Sequence, residues 1–244
     1  MDFIFMLTRD DRTVTDCLEV LESVRDLGIT HIGFKDIGVD RDTLFRLHDA
    51  LRGLGATTYL EVVSTGREQA LASVRTAVEL GVDRLMGGTW TEETLGLLHG
   101  TAIGYLPFVG RPVGHPTRLA GTPTDVAADC RRAEAAGCAG VDLLAYRATD
   151  AGPLDLVRAA RAATSGRLVV AGSISGTGQI RDLAEAGADA FTIGSAAFAG
   201  SLRPDTGALT SQLEPVIAAA GAAERENLAS AGRRPGPVST GEKG

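Results

Sequence analysis

One local signal recurs along this chain and restricts its fold more than any other. An amphipathic stretch ends in an apolar residue followed by glycine, and a short β-branched run begins within a few residues. The stops are Leu27-Gly28, Leu54-Gly55, Leu80-Gly81, Ala136-Gly137 and Ala186-Gly187. Glycine just past the last helical residue is the usual left-handed helix cap. Strands that alternate with helices of this length build βαβ units and a parallel sheet. Eight strand candidates follow this rhythm: Phe3–Leu7, His31–Lys35, Thr58–Val63, Arg84–Gly88, Ile103–Pro107, Val141–Tyr146, Leu168–Ala171 and Phe191–Gly194.

Helices fall between the strands. Arg67–Leu80 puts Ala70, Leu71, Val74, Ala77 and Val78 on one face, and a last helix runs near Leu209–Glu226. Thr13 and Asp16 stand in capping-box spacing before the first helix. Eight βα units predict an α/β fold of the TIM (β/α)8 type, a parallel eight-stranded barrel in a single domain over residues 1–228. An open doubly wound sheet seldom needs eight evenly spaced parallel strands. Residues 229–244 read as a flexible C-terminal tail, since no apolar period continues past Arg233.

Composition narrows the partners. The net charge is −7, which argues against nucleic acid, because binding a phosphate backbone needs a basic face. No apolar run reaches the roughly 18–20 residues of a membrane span, and the acidic start Met1-Asp2 does not resemble a signal peptide. The three cysteines, Cys17, Cys130 and Cys138, form no CxxC pair and suggest reduced thiols in a cytoplasm. No cofactor is expected, and homo-oligomerisation stays open.

Of 24 Lys and Arg residues, only Lys35 and Lys243 are lysine. A folded body that otherwise uses arginine, and keeps one lysine in an apolar strand, suggests a need for an amine that can act as base or nucleophile. Strand residues alternate between the helix layer and the barrel lumen. With Ile32, Phe34, Leu60, Val62, Leu143 and Ala145 facing outward, His31, Gly33, Lys35, Tyr59, Glu61, Asp142 and Tyr146 face inward. Active sites of such barrels lie at the C-terminal strand ends. Lys35 and Glu61 are therefore the expected catalytic pair, with Asp36 a third candidate and Tyr146 a further contact. His31, Arg84 and Asp142 begin their strands and are expected to close the opposite end, with Arg84 pairing Asp142. His48 is expected at the surface.

The strongest motif is Ala171-Gly172-Ser173-Ile174-Ser175-Gly176-Thr177-Gly178 before a helix, followed by Thr192-Ile193-Gly194-Ser195-Ala196-Ala197. Glycines let the backbone approach an anion, and free N–H groups at helix starts bind it. The loops after strands 7 and 8 form the common phosphate site of TIM barrels, so Gly172, Ser173, Ser175, Gly176, Gly194 and Ser195 are expected around a phosphate. The long loop Phe108–Gly121 carries Arg111 and His115, which could meet an anionic substrate.

Val170–Ser175 together with Ala186–Ala196 resembles the ribulose-phosphate-binding barrel superfamily. The resemblance is specific over the last quarter of the barrel and architectural before it. It implies a phosphate site at Gly172, Ser173, Gly194 and Ser195, and it carries over no reaction. The paired Asp residues of the histidine-pathway isomerases, the metal-binding His and Asp of the pentose-phosphate epimerases and the Asp-x-Lys strand of the decarboxylases are all missing, so no metal is expected. These readings predict a barrel enzyme for a small phosphorylated substrate, either an isomerase or epimerase or an aldolase-type lyase, with Lys35 central. The alternative is a non-catalytic regulatory barrel that binds a sugar phosphate.

Overall fold

A computed structural model of the chain describes residues 1–114 and 117–231. Eight parallel strands alternate with helices around a central lumen. They are β1 (Asp2–Met6), β2 (His31–Phe34), β3 (Thr57–Val62), β4 (Arg84–Gly87), β5 (Gly104–Leu106), β6 (Gly140–Leu143), β7 (Arg167–Val170) and β8 (Ala190–Ile193). Pairing runs without a break from β6 through β7, β8, β1, β2, β3 and β4 to β5. The remaining seam, between β5 and β6, is closed by backbone hydrogen bonds. Ala139 N–H donates to the Tyr105 carbonyl at 2.9 Å, Asp142 N–H to Pro107 at 2.9 Å and Val109 N–H to Asp142 at 3.1 Å. Gly140 lies against the Arg167 backbone, where any Cβ would overlap it.

The connecting helices are α1 (Cys17–Val24), α2 (Arg41–Gly53), α3 (Arg67–Leu80), α4 (Thr91–Leu98), α5 (Pro123–Ala135), α6 (Pro153–Ala163), α7 (Thr177–Ala186), the short α8 (Ser195–Phe198) and α9 (Leu209–Ala231). The glycine stops end the helices as their spacing predicts: Gly81 and Gly187 cap α3 and α7 with φ of 75° and 94°. In α9, Leu213, Val216, Ala220 and Ala223 are buried along one face. The expected tail falls on residues 229–244. The helix continues to Ala231, and residues 232–244 lie outside the described residues. Among the described residues no helix is long and apolar enough to cross a membrane.

Alternation along the strands makes two cores. Ile32, Phe34, Leu60, Val62 and Leu143 face the helices. Ile4, Met6, Tyr59, Met86, Leu106, Val169 and Ala190 fill the lumen as a separate apolar plug. Ionisable groups lie at both ends of that plug. At the end where the strands begin, Asp2 receives the Arg167 guanidinium at 2.5 Å, and His31 Nε2 lies 3.7 Å from Asp2. His31 Nδ1 sits 3.0 Å from the Tyr59 hydroxyl. His31 thus belongs to the structural end, as its place in the strand predicts.

Three expectations are corrected. Arg84 does not pair with Asp142: its guanidinium donates to the Asp83 carbonyl at 3.0 Å, and Asp142 lies higher in the lumen. The cause is barrel stagger, since strand tilt shifts each strand's level against its neighbours. His48 is not at the surface but buried on the inner face of α2. Thr13 makes no capping box, and Asp16, at the N-cap of α1, makes no side-chain cap bond. The Thr13 hydroxyl serves Lys35 instead.

Candidate active site

Lys35 follows directly on the last residue of β2. Its backbone is held on both sides by one side chain: Lys35 N–H donates to Thr13 Oγ1 at 2.8 Å, and that hydroxyl donates to the Lys35 carbonyl at 2.7 Å. The side chain points into the barrel mouth and is 3% exposed. Its Nζ lies 2.8 Å from Asp11 Oδ1 and 3.3 Å from Glu61 Oε2. Glu61 is the neighbour that strand register supplies, one step beyond the paired Phe34 and Leu60. A buried ammonium between two carboxylates is a compensated charge; alone it would cost several kcal/mol.

Asp11 arrives from a different direction. Thr8–Arg9 and Arg12–Thr13 form a small antiparallel hairpin above β1, pairing Thr8 with Thr13 and Arg9 with Arg12. The turn is left with two residues, Asp10 and Asp11, both left-handed at φ 52° and 58°. Aspartate tolerates that region better than most residues, and tight two-residue hairpins favour it. The turn puts the Asp11 carboxylate between Lys35 and Arg147. Arg147 closes a 3₁₀ turn (Ala145–Arg147) after β6. It approaches both carboxylate oxygens, Nη1 to Oδ2 at 3.3 Å and Nη2 to Oδ1 at 3.4 Å. Burial alone would push the Asp11 carboxyl up, but Lys35 and Arg147 outweigh it and bring the pKa down to about 2.

Asp142, on β6, differs from the other acids of the mouth. It is fully buried, and neither carboxylate oxygen has a hydrogen-bond partner. Burial raises its pKa well above the usual carboxylate value, and nearby Glu61 adds to the rise against the pull of Lys35 and Arg147. Burial thus favours the protonated form of Asp142, near the Lys35–Glu61 pair.

Across the mouth the wall is backbone. Residues Ala171–Ser175 and Thr192–Ala196 line a cavity of about 140 Å³ together with Thr8, Asp11, Lys35, Glu61 and Arg147. Gly172 and Ser173 are both left-handed, at φ 79° and 60°. A Cβ on Gly172 would strike the Arg147 side chain, and one on Gly194 would come within 2.8–2.9 Å of the Thr8 and Met6 carbonyls. Ser175 N–H is taken by the Gln179 side chain at 2.8 Å. Beyond Asp11, a second chamber of about 370 Å³ lies against Ser64, Thr65, Gly66 and Gln69.

The structure thus gathers Lys35, Glu61, Gly172, Ser173, Ser175, Gly194 and Ser195 around one cavity. It separates the other expected residues from it. Gly176 is the N-cap of α7, one residue past the lining. Asp36 turns to the helix layer beside Ser73 of α3, because strand alternation sends the residue after an inward lysine outward. Tyr146 turns toward Asp182 of α7, since the 3₁₀ turn interrupts strand alternation after β6. The loop after β5 forms a second hairpin, Arg111–Val113 against Arg118–Ala120. Arg111 is exposed there, near Asp125 and Asp150. His115 lies outside the described residues. Asp11 and Arg147 were not singled out by the sequence. The one signal for Asp11 is a polar Asp-Asp pair between Arg9 and Arg12, with Thr8 and Thr13 outside them, just past the first strand.

No protein-family model matches the chain, and no curated protein matches it in sequence. Solved structures do. The native KDPGal structure is 17% identical, covers 94% of this chain and 97% of its own, and superposes with a TM-score of 0.64. The BexX/CysO complex from Amycolatopsis orientalis is 19% identical over 98% of this chain and 95% of that one, with a TM-score of 0.63. Orotidine 5'-phosphate decarboxylase from Pyrococcus horikoshii OT3 is 12% identical over 90% and 99%, also at 0.63. At such identities the likeness establishes the (β/α)8 barrel.

Proposed function

We propose that this barrel is an enzyme acting on a small phosphorylated carbonyl compound, and that it moves a proton at the carbon next to the carbonyl. The observation that carries this reading is the position of Lys35. Its buried ammonium pairs with Glu61 at 3.3 Å and faces, across one cavity, the glycine turns after β7 and β8. Those turns offer backbone N–H groups to a phosphate. A ligand anchored there presents its carbonyl oxygen to Lys35 Nζ. Glu61 then takes the proton from the adjacent carbon, the electron pair moves onto the carbonyl oxygen, and the ammonium stabilises the enediolate. Returning the proton to the neighbouring carbon gives an isomerase; returning it to the opposite face gives an epimerase. Burial favours the protonated form of Asp142, so that group adds little to the two carboxylates, Asp11 and Glu61, that already flank the ammonium.

A second reading uses the same lysine covalently, in an aldolase-type lyase. Glu61 at 3.3 Å is close enough to move protons as an amine adds to a carbonyl and loses water. Borohydride added with substrate separates the two. A reduced adduct on Lys35 assigns the lyase, and turnover with no adduct assigns the isomerase. Lys35→Arg keeps the charge and removes the compact amine; turnover equal to wild type in that variant would refute both. Tight binding of phosphosugars with no turnover of any would favour the regulatory barrel.

A further inference from the structure

The mouth holds two cations that converge on one carboxylate, and the chain supplies that carboxylate itself. Lys35 Nζ and the two terminal nitrogens of Arg147 all point at Asp11, at 2.8, 3.3 and 3.4 Å. The Arg147 contacts are paired, one nitrogen to each oxygen, which is the fork geometry arginine offers a carboxylate. The acid sits at the tip of a two-residue turn, not on a strand or helix. It also stands on the boundary between two cavities, lining both the 140 Å³ chamber of the glycine turns and the 370 Å³ chamber beyond. A substrate with its phosphate on the glycine turns and its carbonyl at Lys35 has its far end where Asp11 now lies.

We propose that Asp11 occupies a carboxylate subsite, and that the substrate is a phosphorylated compound whose far end is a carboxylate that replaces Asp11 between Lys35 and Arg147. This rests on reading the Lys35 cavity as the substrate site, and it adds the substrate class to that reading. The hairpin acts as an internal competitor. While Asp11 is seated, Lys35 and Arg147 are neutralised and the chambers are divided. When the ligand carboxylate takes the seat, the tip is released and the chambers join. Because Asp11 stays ionised down to a pKa of about 2, the seat is filled by an anion throughout the neutral range, so a ligand must compete for it.

The test uses oxamate, a small carboxylate that lacks a reactive ketone, titrated into the full chain by calorimetry at constant ionic strength. Asp11→Asn removes the competing charge and keeps a residue that accepts the left-handed turn; Asp11→Gly is the second variant should the first not fold. Either is expected to bind oxamate at least about ten-fold more tightly than wild type, by removal of the internal ligand. That binding should persist in saturating inorganic phosphate and disappear when Arg147→Gln is added. Equal affinity in wild type and the Asp11 variants overturns the proposal, as does one-for-one displacement of oxamate by phosphate. The reaction is tested apart from this: oxamate binding with this pattern but no turnover of any phosphorylated acid sinks the proposed chemistry and leaves the subsite standing. Efficient turnover of carboxylate-free phosphosugars that is indifferent to Arg147→Gln sinks the subsite and leaves the chemistry.

Discussion

The two ends of this barrel carry similar charged residues and use them differently. At the end where the strands begin, Asp2, His31, Tyr59 and Arg167 are assembled from β1, β2, β3 and β7. The carboxylate has its arginine and the imidazole has its hydroxyl; of these polar groups only Arg167 Nε is left unpaired in the interior. At the mouth, Asp11, Lys35, Glu61, Asp142 and Arg147 are just as close, but the set is incomplete. Asp142 has no partner for either oxygen, and two cations share one turn residue. Interior polar groups are normally satisfied, so an unsatisfied cluster marks where something other than stability sets the residues. The same lumen therefore separates a nearly satisfied cluster from an incomplete one.

The largest expected effect breaks the comparison directly. Lys35→Met should lower turnover by at least about 10³-fold, the range that a positioned acid–base or electrophilic group supplies. Arg167→Met, its counterpart at the other end, should leave kcat/KM nearly unchanged and lower stability by about 1–3 kcal/mol through the lost charged hydrogen bond to Asp2. Steady-state kinetics and denaturant unfolding on the two variants check this. Equal losses of activity would mean that the two ends are not functionally distinct.

Next in size is Gly194→Ala. The added methyl would meet the Thr8 and Met6 carbonyls and push the β8 turn out of place. Because the Gly194 turn and the hairpin that presents Asp11 touch at Thr8, one substitution should disturb both walls of the cavity. We expect KM for a phosphorylated substrate to rise at least about ten-fold, with kcat less affected, as loss of binding shared by ground and transition states predicts.

These contrasts also show how much of the molecule was legible in its sequence. The barrel was, because glycine caps such as Gly81 and Gly187 and the alternation of Ile32 and Phe34 are local signals. Lys35 and Glu61 were, because parity and strand register are nearly local as well. Asp142 was not placed correctly. Its inward parity is readable, but its height depends on the stagger of the closed barrel, a property of all eight strands together. Arg147 escaped because it ends a 3₁₀ turn that begins at Ala145 and breaks the strand period, and this also turned Tyr146 away. Asp11 required knowing that Thr8 pairs with Thr13, a hairpin too short to leave a hydrophobic pattern.

The smallest effects concern pH, and here the two ends should act with opposite sign. Burial raises the Asp142 pKa, so its native state holds a proton the unfolded chain gives up. That contribution is complete below the ordinary carboxylate value of about 4 and is lost as pH rises toward the native value. Burial lowers the pKa of His31, so its unfolded form takes up a proton the native state refuses. That contribution is complete above the ordinary histidine value of about 6.5 and is lost as pH falls toward the native value. Between pH of about 4 and 6.5 the slopes oppose each other, each no steeper than about 1.4 kcal/mol per pH unit. Unfolding free energies measured across that range should therefore diverge in the single variants. Asp142→Asn, a neutral isostere, should gain stability relative to wild type as pH rises. His31→Gln should gain relative to wild type as pH falls. An Asp142→Asn curve parallel to the wild-type curve would mean that Asp142 is ionised in the native state, and the mouth would then carry a third carboxylate near Lys35, after Asp11 and Glu61.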